Sequence, residues 1–315
     1  MKTVLATLLM GVSTMAHAQE VTIAREGLSS PLAAELAGDV GSGRAGVVIV
    51  PGSGPTDRDG NNPAGIRAST YALLAEALAQ EGIPSLRIDK RGMFASASAL
   101  ADGNDVTIND YVGDVTAWAA DLRERTGHDC AWIAGHSEGA VVALRVAADA
   151  PDGICGVLLL SATGRPLAQI LTEQLEANPM NAPILPEARR HIGALENGEA
   201  IVGPIHPALA PLFGPQVEGF VRSLFAEDPA SLAGELDVPV LILHGREDLQ
   251  VSDADAEALA AAQPQARLVM LEGVNHVLKT VPEGDRAANA AAYANPDLPL
   301  AEGVAASIVD FLNAN

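Results

Sequence analysis

Aromatic residues make up only 3% of this 315-residue chain, so its core has to be assembled mainly from Ala, Val, Leu and Ile. Apolar residues reach 48%, which is ample for one large α/β domain with an insertion, or for two smaller domains. Positive charge is scarce as well: 19 Lys and Arg stand against 40 Asp and Glu, a formal charge of −21. Binding a phosphate backbone needs a concentrated basic surface, so a nucleic-acid partner is excluded. The acidity implies a well-solvated surface and long-range repulsion of anionic substrates. Internal repeats, low-complexity tracts and metal-ligand clusters are lacking, and no metal or organic cofactor is expected. No segment is apolar for long enough to span a bilayer. Oligomeric state is left open.

The amino terminus reads as a processing segment. Lys2 supplies a positive end, Val4 to Val12 a short apolar centre, and Ala16-His17-Ala18 an A-x-A site. Residues 1–18 are therefore expected to be a signal peptide cleaved after Ala18, leaving 19–315 periplasmic or secreted. Export gives the two cysteines meaning. Cys130 and Cys155 open consecutive apolar runs, so they fall at the same edge of neighbouring parallel strands, near enough to bridge. A disulfide is expected in an oxidising compartment, with two buried free thiols as the alternative.

What is present in strength is a pentapeptide, Gly135-His136-Ser137-Glu138-Gly139. It directly follows the apolar run Cys130 to Ala134 and precedes an Ala/Val/Leu stretch with helical spacing, Ala140 to Ala148. G-x-S-x-G between a strand and a helix is the pattern of a nucleophile elbow, whose sharp turn pushes the serine hydroxyl out at the carboxyl end of a sheet. As a bare pentapeptide it could equally be a structural turn, and the strand-then-helix setting favours the elbow. The Glu138 amide would then start a helix and face a developing oxyanion.

A serine hydroxyl needs a base and an orienting acid. The run Pro239 to Leu243 ends in His244-Gly245-Arg246-Glu247-Asp248, and Ala266 to Leu271 ends in Glu272-Gly273-Val274-Asn275-His276. Asp248 and His276 thus fall on loops at the same sheet edge as Ser137, in the chain order Ser, Asp, His of α/β-hydrolases. His276 is expected to take the Ser137 proton while Asp248 holds the imidazole. Glu247 remains a rival acid, since a one-residue shift would exchange it with Asp248. His244 is expected to bond loop backbone, and His136 to point away from the nucleophile and pack. His128, His191 and His206 have solvated or structural roles by default. A second oxyanion donor is expected after the strand Val47 to Val50, in the Gly/Pro-rich loop Pro51 to Asn61. The amide of Ser53, paired with that of Glu138, is the expected donor pair. Read as a plain turn, the same loop would carry Asp57, Arg58 and Asp59 as surface ions.

The GSGPTDRDGN run (Gly52 to Asn61), Asp89-Lys90-Arg91-Gly92, GHSEG, HGREDLQV and Asn275-His276 together resemble serine α/β-hydrolases of the esterase kind, in particular bacterial carboxylesterases sharing a GSGP-x-DRDGN loop. The resemblance runs from about Val21 to the end, including the tail Tyr293 to Leu300. It implies an α/β-hydrolase fold, a small-molecule ester substrate and no cofactor. Two departures stand out. Pro51-Gly52 replaces the His-Gly of many superfamily members, which alters the loop's hydrogen bonding but not its amides. The usual R-G-x-G-x-S becomes Arg91-Gly92-Met93-Phe94-Ala95-Ser96, so that loop lacks its second glycine.

Strand candidates alternate with helical patterns, the rhythm of a mostly parallel sheet with helices on both faces. Val21 to Ala24 and Leu32 to Ala37 are expected to start it antiparallel. Val47 to Val50, Pro84 to Asp89, Ala131 to Ala134, Val157 to Leu160, Val240 to Leu243 and Leu268 to Leu271 continue it. Helical spacing marks Thr70 to Gln80, Asn109 to Arg125 and Ala301 to Leu312. The proline-punctuated stretch 164–237 breaks the rhythm and reads as a mostly helical cap over Ser137. There Leu209, Leu212, Phe213, Phe220 and Leu224 either line an acyl pocket or anchor the cap. The function that follows is ester hydrolysis through an acyl-enzyme, with short to medium acyl chains. A peptidase or amidase using the same triad is the alternative, favoured if the cap offers a carboxylate to a peptide amino terminus. A catalytically silent binding protein is the third reading, distinguished by failure of a fluorophosphonate to label Ser137.

Overall fold

The computed structural model describes residues 18–102, 105–149 and 152–315; residues 1–17 of the expected signal peptide lie outside the described residues. Along the chain, β1 (Gln19–Ile23) and β2 (Leu32–Ala37) form a hairpin. β3 (Val47–Val50) follows, then a small hairpin of β4 (Asn61–Asn62) and β5 (Ile66–Arg67), α1 (Thr70–Gln80) and β6 (Ser85–Ile88). Next come α2 (Ile108–Thr126), β7 (Ala131–His136), α3 (Glu138–Asp149) and β8 (Ile154–Leu160). Helices fill the next 70 or so residues: α4 (Leu167–Ala177), α5 (Leu185–Glu196), α6 (Ala210–Phe213), α7 (Pro215–Phe225) and α8 (Pro229–Gly234). The chain then returns to the sheet with β9 (Val240–Gly245), α9 (Asp253–Ala262), β10 (Arg267–Leu271), α10 (Arg286–Tyr293) and α11 (Val304–Ala314).

Eight strands lie side by side in the order β1-β2-β6-β3-β7-β8-β9-β10. The pairs from β6 to β10 are parallel, while β2 runs antiparallel to both β1 and β6. Parallel strands covered on both faces read as unbroken apolar runs, because every side chain is buried. β3 shows this directly. Val48 and Val50 pack on one face with α2 and α3, and Val47 and Ile49 pack on the other with α1 and α11.

Local signals place the helices. α2 starts with a capping box, in which the Thr107 side chain accepts the Asp110 amide and Asp110 reaches back to Thr107, and it ends on Gly127 in the left-handed region. Its first residue therefore precedes the start expected near Asn109 by one. The helical insertion is pinned where it leaves the sheet: Asp255, in the first turn of α9, accepts the amides of Gly164 and Arg165 and pairs with the Arg165 guanidinium. Within the insertion, Leu209 and Phe213 are fully buried against Ala188, Ile192 and Leu195, forming a small core of its own. No helix among the described residues is long and apolar enough to cross a membrane.

Cys130 and Cys155 form a disulfide that links the amino-terminal ends of β7 and β8. His128 lies beside it, with Nδ1 3.9 Å from Cys130 Sγ. These three residues form the one group with metal-ligand spacing among the described residues, and both sulfurs are already bonded to each other.

Candidate active site

Ser137 is the single residue between the end of β7 and the start of α3. Its φ of 54° lies in the left-handed region, which L-residues occupy only under strain. The turn closes so tightly that side chains are barred on both sides. A Cβ on Gly135 would sit 2.3 Å from the Gly139 oxygen, and one on Gly139 would sit 2.4 Å from the Val50 oxygen. The glycines of G-x-S-x-G are thus required by close backbone approach, and the Ser137 amide is held by the Leu160 carbonyl of β8 at 3.0 Å.

Two loops meet beside this elbow. His276 is 4% exposed, and its Nδ1 lies 2.7 Å from Asp248 Oδ2, whose side chain is fully buried. The other carboxylate oxygen accepts the amides of Gln250 and Val251 at 2.8 and 2.9 Å. Burial alone would raise the Asp248 pKa; the His276 imidazole and these two amides outweigh it and hold the carboxyl below its ordinary value. An ionised Asp248 accepts the hydrogen bond from His276 Nδ1–H, which keeps the proton on Nδ1 and leaves Nε2 free to accept one. Glu247 turns elsewhere and accepts the Gly284 amide. The two loops are also laced together, since the Glu247 amide donates to Val274 O and Asn289 Nδ2 donates to Glu247 O.

No hydrogen bond joins the Ser137 hydroxyl to His276. Such contacts are often long in a ligand-free site and tighten around substrate. Ser137, Ser53 and Glu138 all line a cavity of about 410 Å³ between the sheet edge and the insertion. The Glu138 amide lies in the first turn of α3, where no intrahelical acceptor exists, and the Ser53 amide donates to no acceptor among the described residues. Leu212, Phe220 and Leu224 line the cavity, whereas Leu209 and Phe213 belong to the insertion's own core.

His136 differs from the expectation that it merely packs. The Gly52 amide donates to Tyr71 Oη at 3.1 Å, so the Tyr71 hydroxyl donates to His136 Nδ1 at 2.9 Å, and His136 Nε2 donates to the His276 carbonyl at 2.8 Å. Burial, with His276 beside it, drives the His136 pKa down to about 3, and the neutral ring suits this relay. His136 therefore ties the Gly52 loop to the His276 loop through buried bonds. His244 also departs from expectation. It is 1% exposed, neither ring nitrogen has a hydrogen-bond partner among the described residues, and Nε2 stands 3.4 Å from Asp253 Oδ1.

The loop Pro51 to Asn61 is held from within and from outside. Asp57 Oδ1 accepts the amides of Asp59 and Asn61, which shapes the turn. Arg58 is buried on Asp89, donating from its amide at 2.9 Å and from Nε at 2.8 Å, and Asp59 pairs with Arg87. Arg58 is thus a buried anchor and not a surface charge, while Asp59 pairs with Arg87 from a side chain still 41% exposed. Arg91 binds Asp110 and Asp114, and the residue in place of the missing glycine, Phe94, takes a strained φ of 46°.

A family model described as "Serine aminopeptidase, S33" matches residues 64–194, a span that holds the elbow and ends before Asp248 and His276. The curated protein Esterase EstD of Thermotoga maritima is 26% identical over 245 residues, covering 74% of this chain and 54% of that protein. This chain thus spans about half the length of the curated relative it matches. Among solved structures, Est1E from Butyrivibrio proteoclasticus with ferulic acid bound superposes with a TM-score of 0.58 at 17% identity, covering 94% of this chain and all of the other. The chain has an α/β-hydrolase fold, and its similarities are to serine α/β-hydrolases. Among these, the resemblance is to esterases. A further α/β-hydrolase neighbour, 2-hydroxy-6-oxo-6-phenylhexa-2,4-dienoate hydrolase from Rhodococcus sp. strain RHA1, has a TM-score of 0.53 at 20% identity, covering 83% of this chain and 93% of the other.

Proposed function

We propose that this protein hydrolyses carboxylic esters of short to medium, apolar acyl chains through an acyl-enzyme on Ser137. The observation that carries this reading is the 2.7 Å Asp248–His276 bond beside the elbow of the strained Ser137, which itself lines a largely apolar cavity. The name of the Thermotoga relative, an esterase, agrees with it. Ser137 Oγ attacks the ester carbonyl while His276 Nε2 takes its proton. The tetrahedral oxyanion faces the amides of Ser53 and Glu138, whose donors hold most strongly when charge develops there. His276 then protonates the leaving alcohol. Water, deprotonated by the same imidazole, attacks the acyl-enzyme, and Ser137 recovers its proton as the acid leaves.

Ester cleavage is favoured over aminopeptidase action by the cavity's charges. Among the described residues its two carboxylates are both engaged, Glu138 with Lys90 at 3.7 Å and Glu227 with Arg145. Neither is left to receive a peptide's terminal ammonium. The chain is also proposed to be exported, with cleavage after Ala18, a reading the Cys130–Cys155 bridge supports because such bonds persist in oxidising compartments.

Ser137→Ala is expected to lower turnover of p-nitrophenyl butyrate by at least about 10³-fold, with the folded state retained. Parental turnover in that variant would refute the assignment. Aminoacyl p-nitroanilides run alongside should be cleaved far more slowly than the esters.

A further inference from the structure

An ammonium group sits on the cavity wall and takes no part in the steps above. Lys90 follows β6 by two residues and is 4% exposed. Its Nζ donates to the Gly52 carbonyl oxygen at 2.6 Å, lies 3.7 Å from Glu138 Oε1, and stands 5.5 Å over the Tyr111 ring. The Gly52 oxygen belongs to the same peptide unit as the Ser53 N–H. No cis peptide occurs among the described residues, and in a planar trans unit the C=O and N–H point in opposite directions. Holding the oxygen therefore sets the direction of the Ser53 N–H. A cation on the oxygen also draws electron density through the amide and strengthens the N–H as a donor. The far side of Gly52 is fixed as well, its amide resting on Tyr71 Oη. The other partner of Lys90 is the carboxylate of Glu138, the residue whose amide is the second donor.

We propose that Lys90 is a positioning residue of the oxyanion hole: by gripping the Gly52 carbonyl it aims and polarises the Ser53 amide, and through Glu138 it holds both donor-bearing segments in one frame. The proposal rests on the reading of Ser53 and Glu138 as oxyanion donors. It differs from a purely structural ion pair in what it predicts for the chemical step. A misdirected donor weakens transition-state binding and leaves substrate binding largely intact.

The test compares Lys90→Cys before and after alkylation with 2-bromoethylamine, which restores an ammonium at nearly the lysine position. The native cysteines are bridged to each other, so the introduced thiol is the only free one among the described residues. Lys90→Cys is expected to lower kcat for p-nitrophenyl butyrate about 10- to 100-fold with KM within about threefold, a smaller loss than removing a donor outright. Inhibition by a trifluoromethyl ketone, whose adduct places an oxyanion in the same hole, should weaken by the same factor as kcat/KM. Alkylation should recover kcat at least about fivefold, as expected if the ammonium is the missing part. Unchanged kcat, a loss confined to KM, unaltered ketone affinity or no recovery on alkylation would each overturn the proposal. Should Lys90→Cys fail to fold, Lys90→Arg keeps the charge opposite Glu138 but moves the donor; it is expected to lose about three- to tenfold in kcat with ketone affinity falling in step, and parental kcat overturns the proposal. Ser137→Ala assayed in parallel separates the two levels. If it retains turnover the site reading fails, whereas an inactive Ser137→Ala beside a fully active Lys90→Cys overturns the Lys90 inference alone.

Discussion

The sheet and the helical insertion are built to different standards. In the sheet, β3, β7 and β9 are buried along their whole length. The groups near Ser137 are tied by buried bonds between residues far apart in sequence: Lys90 to Gly52, Tyr71 to His136, His136 to His276. The insertion has only a small core of its own and leaves large apolar residues in water, with Met180 83% and Val202 90% exposed. It touches the sheet layer mainly through α8 on α3 and α9 and through α7 on α2. On the proposed reading, reactivity is placed where the backbone is over-determined, and substrate choice where packing is sparser.

That contrast predicts where substitutions should act. Asp248→Asn should give the largest effect, about a 10³- to 10⁴-fold fall in kcat, because an amide cannot hold His276 in the useful tautomer. It should also change the acid limb of stability. The Asp248 pKa is held below its ordinary 3.8 in the fold, so its contribution is fully present above that value and is lost as pH falls through the lower folded one. Urea unfolding of parent and variant between pH 7 and pH 3 should therefore converge on acidification. Parallel curves would break the link between the Asp248 carboxylate and folding.

Removing the bridge with Cys130→Ser and Cys155→Ser comes next, at about 3 kcal/mol of stability for a loop of this size, read by urea unfolding. Turnover should stay within about twofold, since the bridge lies at the opposite end of β7 from Ser137. A large loss of activity would mean the two ends of the sheet are coupled. The smallest effect belongs to the insertion. Phe220 meets Tyr111 edge to face at 5.4 Å on the cavity wall. Phe220→Ala should move the preferred acyl chain to greater length or bulk, with about a tenfold change in relative kcat/KM among C2 to C8 esters. The melting temperature should barely move, because Phe220 is only half-buried. An unchanged chain-length profile would remove the insertion from its role in selection.

Much of the sheet was legible in the sequence because strands buried on both faces leave unbroken apolar runs, and α1 spans the residues its spacing indicated, Thr70–Gln80. The elbow was legible because its glycines answer to backbone collisions a few residues away. The positions of Asp248 and His276 followed from strand ends and chain order. Less could be read where partners are distant and the local pattern is mute. Nothing near Lys90 announces that its ammonium will meet the Gly52 carbonyl, 38 residues earlier. His136 looked like packing because its partners, Tyr71 and the His276 carbonyl, come from 65 and 140 residues away. In the insertion, the apolar residues of α6 and α7 are alike in sequence, yet Phe213 joins the insertion's core while Phe220 faces the cavity. Only the tertiary arrangement separates them.

The central claim is that Ser137 carries the acyl group during turnover. Peptide mass spectrometry after treatment with a fluorophosphonate tests it most directly. The account predicts a single phosphonyl group on the peptide containing Ser137, absent in Ser137→Ala and accompanied by complete loss of esterase activity. A label on another residue, or an unlabelled protein that still turns over the ester, would contradict it.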